Sequence, residues 1–206
     1  MQIIMSVFAL SKLTKTERLK IASKQPLGVR PKSPKISRSR LLENFQLLAI
    51  VPNLMADANV KVRIELAEGL WHGTESEGIW CEAVSTGQYR VRNIPFYAFN
   101  ISLDDIIEAE IKESDGRLFF NGTVVKPSGN HVYRCMVKRD SPKQSQKYLD
   151  AINSMNCFYE TAIHGDFELI SIDVPSDVDV NKIYDILELG EADGSWDFEE
   201  ANYAGS

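Results

Sequence analysis

The second half of the chain is organised around residues 157–174, which read CFYETAIHGDFELISIDV. Two runs with the composition of β-strands, Cys157–Ile163 and Phe167–Val174, are separated by His164-Gly165-Asp166. Gly and Asp between two such runs are typical of a tight hairpin turn. We therefore predict an antiparallel hairpin here, and the neighbouring elements indicate the fold to which it belongs.

An amphipathic helix is predicted on each side of this hairpin. Pro142–Met155 has Asp140 or Ser141 as a helix cap and a proline at its first turn, where the missing N–H costs nothing. Val180–Leu189 repeats apolar residues at helical spacing, and Gly190 is predicted to end it. Both helices have one apolar face, so both are expected to pack on a flat surface such as a sheet.

A strand is predicted outside each helix, at His131–Lys138 and from Ser195 to Ala201. The resulting order of elements, β-α-β-β-α-β, is that of the ferredoxin-like fold, in which two helices cover one face of a four-stranded sheet. In that topology the final strand lies at the edge of the sheet, beside the first.

The preceding residues, 59–128, predict a second type of unit. Asn59–Leu66 alternates apolar and polar residues strictly, as a half-buried strand does. Four more runs follow, with turns at Ser85-Thr-Gly-Gln and Glu113-Ser-Asp-Gly: Gly78–Val84, Tyr89–Ile94, Asp105–Lys112 and Leu118–Val125. Five short strands with close turns predict a small antiparallel β-barrel, so the predicted fold class is α+β, a barrel followed by a ferredoxin-like unit.

The loop between the third and fourth of these strands, 93–105, is rich in aromatic residues, with Phe96, Tyr97 and Phe99. Exposed aromatic residues often anchor interfaces, so the loop is a candidate for binding a partner. We favour a structural role, in which the loop closes one end of the barrel.

Charge divides the chain at Met55. Residues 1–54 carry 10 basic and 2 acidic side chains and the remainder 13 basic and 27 acidic ones, which gives net charges of about +8 and −14. We interpret 1–54 as a flexible basic leader, because it buries too little surface to offset its ordering entropy, and as upstream sequence ahead of a start at Met55. A transit-like peptide or a basic arm is the alternative. The predicted domains are 55–129 and 130–206.

Several spaced blocks of sequence are shared with one known family. They are Glu77-Gly-Ile-Trp-Cys-Glu, Asn93-Ile-Pro-Phe-Tyr-Ala, Asp105-Ile-Ile-Glu-Ala-Glu, Leu118-Phe-Phe and Gly194-Ser-Trp-Asp-Phe-Glu-Glu-Ala. With them, residues 59–203 resemble the bacterial family called domain of unknown function 4265. The resemblance implies no catalytic residues. It implies a role in immunity, because some relatives lie beside secreted polymorphic toxins.

Neither catalysis nor a cofactor is predicted. The histidines His72, His131 and His164 are scattered, and the pair His164–Asp166 is better explained by its hairpin turn. Cys81, Cys135 and Cys157 have neither zinc spacing nor the even number of a disulfide framework, so we expect reduced, structural thiols and a cytoplasmic protein. The acidic pairs Asp104-Asp105 and Asp177/Asp179 do not continue into a calcium loop and are expected to form a turn and a helix cap.

Acidic residues concentrate near the end of the chain, around two aromatic residues. The predicted partner-binding residues are Glu188, Glu191, Asp193, Trp196, Asp197 and Glu199. Such a surface would attract a basic protein such as a nuclease-like toxin, which an aromatic residue could anchor. The function predicted is that of a non-catalytic, immunity-type protein, and a solvated face with edge protection is the alternative for any single residue.

Two other functions stay open at this point. One is a small-molecule-sensing or regulatory module, since ferredoxin-like units often pair around a ligand. The other is nucleic-acid binding, which the net charge of about −14 on residues 55–206 opposes. No run of apolar residues approaches the length that crosses a membrane, so no membrane partner is predicted. The oligomeric state is not predicted.

Overall fold

The computed structural model describes residues 59–114, 116–139 and 144–204. The predicted leader 1–54 and the predicted cap at Asp140 or Ser141 lie outside these residues. In chain order the elements are β1 (Asn59–Glu65), β2 (Ser76–Ser85), β3 (Gln88–Val91), β4 (Ile106–Ile111), β5 (Leu118–Lys126), β6 (His131–Lys138), α1 (Gln146–Asn153), β7 (Phe158–His164), β8 (Phe167–Val174), α2 (Val180–Ala192) and β9 (Asp197–Asn202). In the described part of the chain, no helix is long and apolar enough to cross a bilayer.

The fold is mixed α+β, and its first five strands form a closed ring in chain order. Consecutive strands are antiparallel, and the β2–β3 turn places Gly87 at a φ of 75°, as predicted for a hairpin. The expectation of a wholly antiparallel unit is wrong at one place, because β1 and β5 pair in parallel at Val62 and Leu118. Five strands of alternating direction leave the first and fifth pointing the same way, so only a parallel pair can close the ring.

The core of this ring follows from the alternation of the strands. Val62 and Ile64 of β1 are buried with Ile79 and Cys81 of β2, while Lys61 and Glu65, on either side of this pair in β1, are exposed. The loop 93–105 completes this core with a further two buried residues, Ala98 and Ile101. The structural role predicted for the loop is therefore confirmed for its small and aliphatic residues.

The second sheet has the strand order β7-β8-β6-β9, and all its neighbours are antiparallel. The final strand β9 thus lies at an edge beside β6, as predicted. Side chains of α1 and α2, such as Leu149, Ile152, Ile183 and Leu187, form one core with Tyr133, Cys135, Ile170 and Ile172 of the strands. The two helices therefore cover one face of this sheet.

Both helix boundaries differ from the prediction. α1 begins at Gln146, and the carbonyl of Ser145 accepts the N–H groups of Tyr148 and Leu149 at 3.1 Å each; the predicted first residue, Pro142, lies outside the described residues. α2 continues through Gly190 to Ala192. Gly190 does not end the helix: a Cβ there would lie 2.5 Å from the ring of Trp196, so glycine is needed for close packing.

The other face of the second sheet packs against the loop 93–105. Ile94 is buried with Val132 of β6 and Ala201 of β9. Hydrogen bonds cross the same boundary: Ser171 Oγ donates to the carbonyl of Pro95 at 2.7 Å, and Asn100 N–H donates to the carbonyl of Ala201 at 3.0 Å. The sheet is therefore covered on both faces, by helices on one side and by the β1–β5 ring on the other.

Candidate functional site

The six residues predicted to bind a partner do not share one surface. Glu188, Glu191 and Asp193 lie on or just after α2, in the helix layer. Glu199 lies on the opposite face of the sheet, where it accepts a hydrogen bond from Arg134 at 3.0 Å. Asp197 is two residues before Glu199 in the same strand, so it shares that face.

Trp196 does not offer an exposed anchor, and this part of the prediction is wrong. Its side chain is 3% exposed, packs against Gly190 and donates from Nε1 to the carbonyl of Leu187 at 3.0 Å. Phe198 is also buried in the core between the helices and the sheet. An aromatic pair in acidic surroundings suggested an interface, but both rings belong to the hydrophobic core.

Asp193 lies where the two helices meet. Its carboxylate accepts hydrogen bonds from Ser195 Oγ at 2.5 Å, Tyr148 at 2.6 Å and Lys147 at 2.9 Å. These donors, Ser195 first, hold the pKa of Asp193 well below its usual range. Because Lys147 and Tyr148 are at the start of α1 and Asp193 follows α2, the two helices run antiparallel.

The outward face of these helices is acidic, and we call it the helix-layer surface, defined by Asp150, Asp185, Glu188, Leu189 and Asp193, all exposed. Leu189 is 59% exposed. The lysines of the two helices already have acidic neighbours, since Lys147 pairs with Asp193 at 2.9 Å and Lys182 lies 4.0 Å from Asp179. The surface therefore keeps a net negative charge.

The boundary between the ring and the second sheet holds buried charges that the sequence did not single out. Glu77 is 8% exposed, and its carboxylate accepts three backbone N–H groups, from Phe96 at 2.6 Å, Tyr97 at 2.9 Å and Ala98 at 2.7 Å. By accepting these N–H groups the carboxylate holds the loop in place, as a bound anion does with the free N–H groups of a helix N-terminus.

Arg134 is the cation of this boundary and is 4% exposed. Besides its ion pair with Glu199, it donates from Nη2 to the carbonyl of Ala98, and its guanidinium stacks 4.5 Å from the centre of the Phe99 ring. Arg134 therefore ties β9 and the loop to β6.

Next to these charges is an aromatic cluster formed by Trp71, His72, Tyr97 and His164. The ring centres of His72 and Tyr97 are 4.7 Å apart, and the Tyr97 hydroxyl lies 3.1 Å from Nδ1 of His164. Trp71 contacts His164 edge to face at 5.7 Å. The cluster joins the β1–β2 loop, the loop 93–105 and the β7–β8 hairpin. In it the His164 ring pairs with the hydroxyl of Tyr97, not with Asp166, which the sequence had suggested as its partner.

His72 is the most buried ring of this cluster, 6% exposed. Its Nδ1 accepts the N–H of Thr74 at 3.0 Å, so the neutral ring carries its proton on Nε2, which has no hydrogen-bond partner among the described residues. Burial, followed by the charges of Arg134 and His164, lowers the pKa of His72 to about 4. The imidazole is therefore neutral at physiological pH.

A second polar group lies where the ring meets the end of β8. Asn130 Nδ2 donates to both carboxylate oxygens of Asp173, at 3.1 and 3.2 Å, and Asp173 is 1% exposed. Asp105 accepts the N–H groups of Ser102 and Ser128. Burial, opposed by Asn130, raises the pKa of Asp173 to about 6.

The remaining candidates have structural positions. Asp104 has a φ of 65° in a turn, and Asp179 caps α2 by accepting the N–H of Asn181, so the predicted turn and cap are confirmed. The three cysteines are free and buried, and burial raises the pKa of Cys157 to about 11, which disfavours a thiolate. The described residues contain no group of three or more His, Cys, Asp or Glu side chains arranged to hold a metal ion.

Comparison with known proteins identifies the family. The model for Domain of unknown function (DUF4265) matches residues 77–198. This chain belongs to that family. The match includes both sheets from β2 to the start of β9, and with them Glu77, Arg134 and the loop 93–105. No curated protein matches the chain.

One solved structure has the same fold as this member of the DUF4265 family. It is a hypothetical protein from Neisseria gonorrhoeae, 22% identical, with a TM-score of 0.58. The similarity covers 72% of this chain and 98% of that one. Nearly the whole of that protein therefore shares the architecture, and at this identity the likeness concerns the fold alone.

Proposed function

We propose that this protein acts by binding rather than by catalysis, as an immunity-type protein that neutralises a basic partner such as a toxin domain. The observation that carries the proposal is the helix-layer surface, where Asp150, Asp185 and Glu188 are exposed and the lysines are already paired. Such a surface steers a basic partner towards it and disfavours acidic ones. Leu189, 59% exposed, supplies an apolar contact on this surface.

This proposal narrows the predicted surface. Glu188 and Asp193 remain in it, and Glu191 is half-buried on α2. Asp197 and Glu199 lie on the other face of the sheet, and Trp196 is in the core. The buried charges Glu77 and Arg134 do not belong to the proposed binding surface. Glu77 and Arg134 are committed to holding the loop 93–105, so they are not free to act on a substrate or a partner.

We also propose the finer description of the fold, a small β-barrel joined to a ferredoxin-like unit. It is supported by the closed order of β1–β5 and by the strand order β7-β8-β6-β9 with both helices on one face. A cytoplasmic location is part of the proposal, since its support is the three free, buried cysteines.

The experiment is co-expression with a basic toxin domain, with growth and complex formation as readouts. The wild type should restore growth and co-purify with the toxin domain. The double variant Asp185→Lys/Glu188→Lys should lose both effects, because four units of charge change on the proposed surface.

A matched control makes the same change elsewhere. Glu68 and Glu75 are exposed in the β1–β2 loop, and Glu68→Lys/Glu75→Lys should bind and protect as the wild type does. Equal loss of growth rescue and complex formation in both double variants would show that binding depends on the net charge of the protein and not on the helix-layer surface. If the wild type gives neither growth rescue nor a complex, the proposal as a whole is refuted.

A further inference from the structure

One edge of the second sheet is open. β7 is the outermost strand on its side, and among the described residues no strand pairs with its outer edge. Its hairpin loop is Gly165-Asp166, so His164 and Phe167 form the first hydrogen-bonded pair. By alternation, Tyr159, Thr161 and Ile163 direct their N–H and C=O groups outwards. The opposite edge differs, because the N–H of Asn100 already donates to Ala201 of β9.

The sequence of β7 lacks the features that normally protect an edge. Residues Phe158–His164 read FYETAIH, without lysine, arginine, proline or glycine. Phe158 and Ile163 are each 60% exposed. The one carboxylate, Glu160, accepts the backbone N–H of Ile94 at 3.1 Å. β9, by contrast, carries Asp197, Glu199 and Glu200 in six residues.

We propose that β7 pairs antiparallel with β7 of a second copy of this chain, with Thr161 opposite the second copy's Thr161. All seven residues of the strand are then paired. Tyr159 lies opposite the second copy's Ile163 and Phe158 opposite its His164. Aromatic with β-branched residues and Thr with Thr are favourable cross-strand pairs.

The outward-facing groups select this register. Hydrogen-bonded pairs can form only among Tyr159, Thr161 and Ile163 of the two copies, so the centre must be one of residues 159 to 163. Only centres at 160, 161 or 162 pair more than three residues of the strand. A centre at Glu160 sets two like charges directly opposite each other, which is unfavourable. A centre at Ala162 leaves Phe158 and Tyr159 opposite turn residues. Thr161 alone gives full overlap without opposed like charges.

A second copy is favoured over an unrelated strand by the side chains beside this edge. Phe158 and His164 lie on the same face of β7, so Phe158 of one copy would lie against His164 of the other. That histidine already contacts Trp71 and Tyr97. Each copy's exposed phenylalanine would thus extend the other's aromatic cluster. The edge also brings few like charges together, because its one acid, Glu160, is held by the N–H of Ile94 and lies opposite Ala162 of the second copy in this register.

The test is the mass of the full chain by sedimentation equilibrium. A small interface of this kind is expected to be weak, so the mass should rise from 23.2 kDa towards twice that value between about 10 µM and about 1 mM. Thr161→Pro, which removes the central outward N–H, and Thr161→Lys, which opposes two charges, should weaken dimerisation at least tenfold. Leu189→Lys, at a residue 59% exposed on α2, is the matched control and should dimerise normally.

Cross-linking tests the register independently of mass. The three native cysteines are buried, so in the described part of the chain the thiol that Thr161→Cys introduces is the accessible one. Directly opposite Cα atoms about 5.5 Å apart are within disulfide range, so mild oxidation should cross-link Thr161→Cys and leave Leu189→Cys without a cross-link. Circular dichroism checks folding, and Thr161→Lys replaces Thr161→Pro if the proline variant is unfolded. A wild type that stays monomeric throughout, or equal dimerisation of Thr161→Lys, overturns the proposal.

Discussion

Replacing Asp173 by Asn should stabilise this protein at neutral pH, although it removes a charge that makes two hydrogen bonds. Asp173 is 1% exposed and has Asn130 as its donor. Burial, with the charges of Asp104 and Asp105 adding to it, raises its pKa from 3.8 to about 6. A shift of about 2 units corresponds to about 3 kcal/mol of destabilisation by the ionised carboxylate at pH 7.5.

The sign follows from proton linkage. Between pH 6 and pH 4 the native carboxyl holds a proton that the unfolded chain has lost, so this group adds stability as the pH falls and removes it as the pH rises through about 6. Asn keeps the oxygen that accepts from Asn130 but adds an amide N–H₂. If that group is unpaired it costs about 1 kcal/mol, so the net gain expected at pH 7.5 is about 2 kcal/mol.

The assay must compare variant and wild type at each pH, because His72 acts in the opposite direction. Its pKa is lowered to about 4, so the unfolded chain gains a proton below about pH 6.5 before the native state does, and stability falls. Urea unfolding at pH 7.5, 6.0 and 4.5 gives the difference due to Asp173 alone. The gain of Asp173→Asn should shrink as the pH falls, while the exposed control Asp166→Asn should change little at any pH.

Two outcomes would refute this reasoning. One is a loss of stability in Asp173→Asn at pH 7.5, which would mean that the carboxylate is favourable where it lies. The other is a difference from wild type that does not vary between pH 7.5 and 4.5, since the pKa of Asp173 would then not be raised in the folded state.

Two further predictions concern packing and the boundary between the sheets. Gly190→Ala should lower the free energy of unfolding by about 1–3 kcal/mol, because its Cβ would lie 2.5 Å from the Trp196 ring. Chemical denaturation followed by tryptophan fluorescence measures this change, and an unchanged free energy of unfolding would contradict the close packing. Arg134→Met should lower the free energy of unfolding by about 3–5 kcal/mol, because it leaves Glu199 without its partner. The double variant Arg134→Met/Glu199→Leu should recover part of that loss. A double variant no more stable than the single one would contradict the pairing.

The strands of the second sheet were predictable because their pattern is local. His131–Lys138 and Phe167–Val174 were predicted with the bounds that the structure has, since each is a short run rich in apolar and β-branched residues and the Gly165-Asp166 turn marks where the second begins. Gly190 was misjudged for a non-local reason. A glycine near the end of a helical pattern usually ends the helix, and only the position of Trp196 in space shows that this one permits close packing.

The buried charges were missed because a polar residue in a strand ordinarily faces solvent. A signal was nevertheless present in β8, whose final residues LISIDV are apolar except for Ser171 and Asp173. Both lie on the face away from the helices, and Arg134 of β6 lies there too. A central strand that is apolar on both faces except at single positions indicates a covered sheet with specific polar contacts. The loop 93–105 covers this face through its backbone groups, and its sequence gives no corresponding signal.

The two proposed surfaces are compatible in geometry. In an antiparallel pairing of β7 with β7, the two-fold axis is perpendicular to the sheet, so the helices of both copies lie on the same side of one continuous eight-stranded sheet. Both helix-layer surfaces then face the same direction, and a partner with two basic regions would be bound by both at once. A partner with one basic region would bind each copy separately. Thr161→Lys separates these cases, because it breaks the pairing without touching Asp185 or Glu188: unchanged affinity would mean that each copy binds alone, and weaker binding would mean that the paired sheet presents the site.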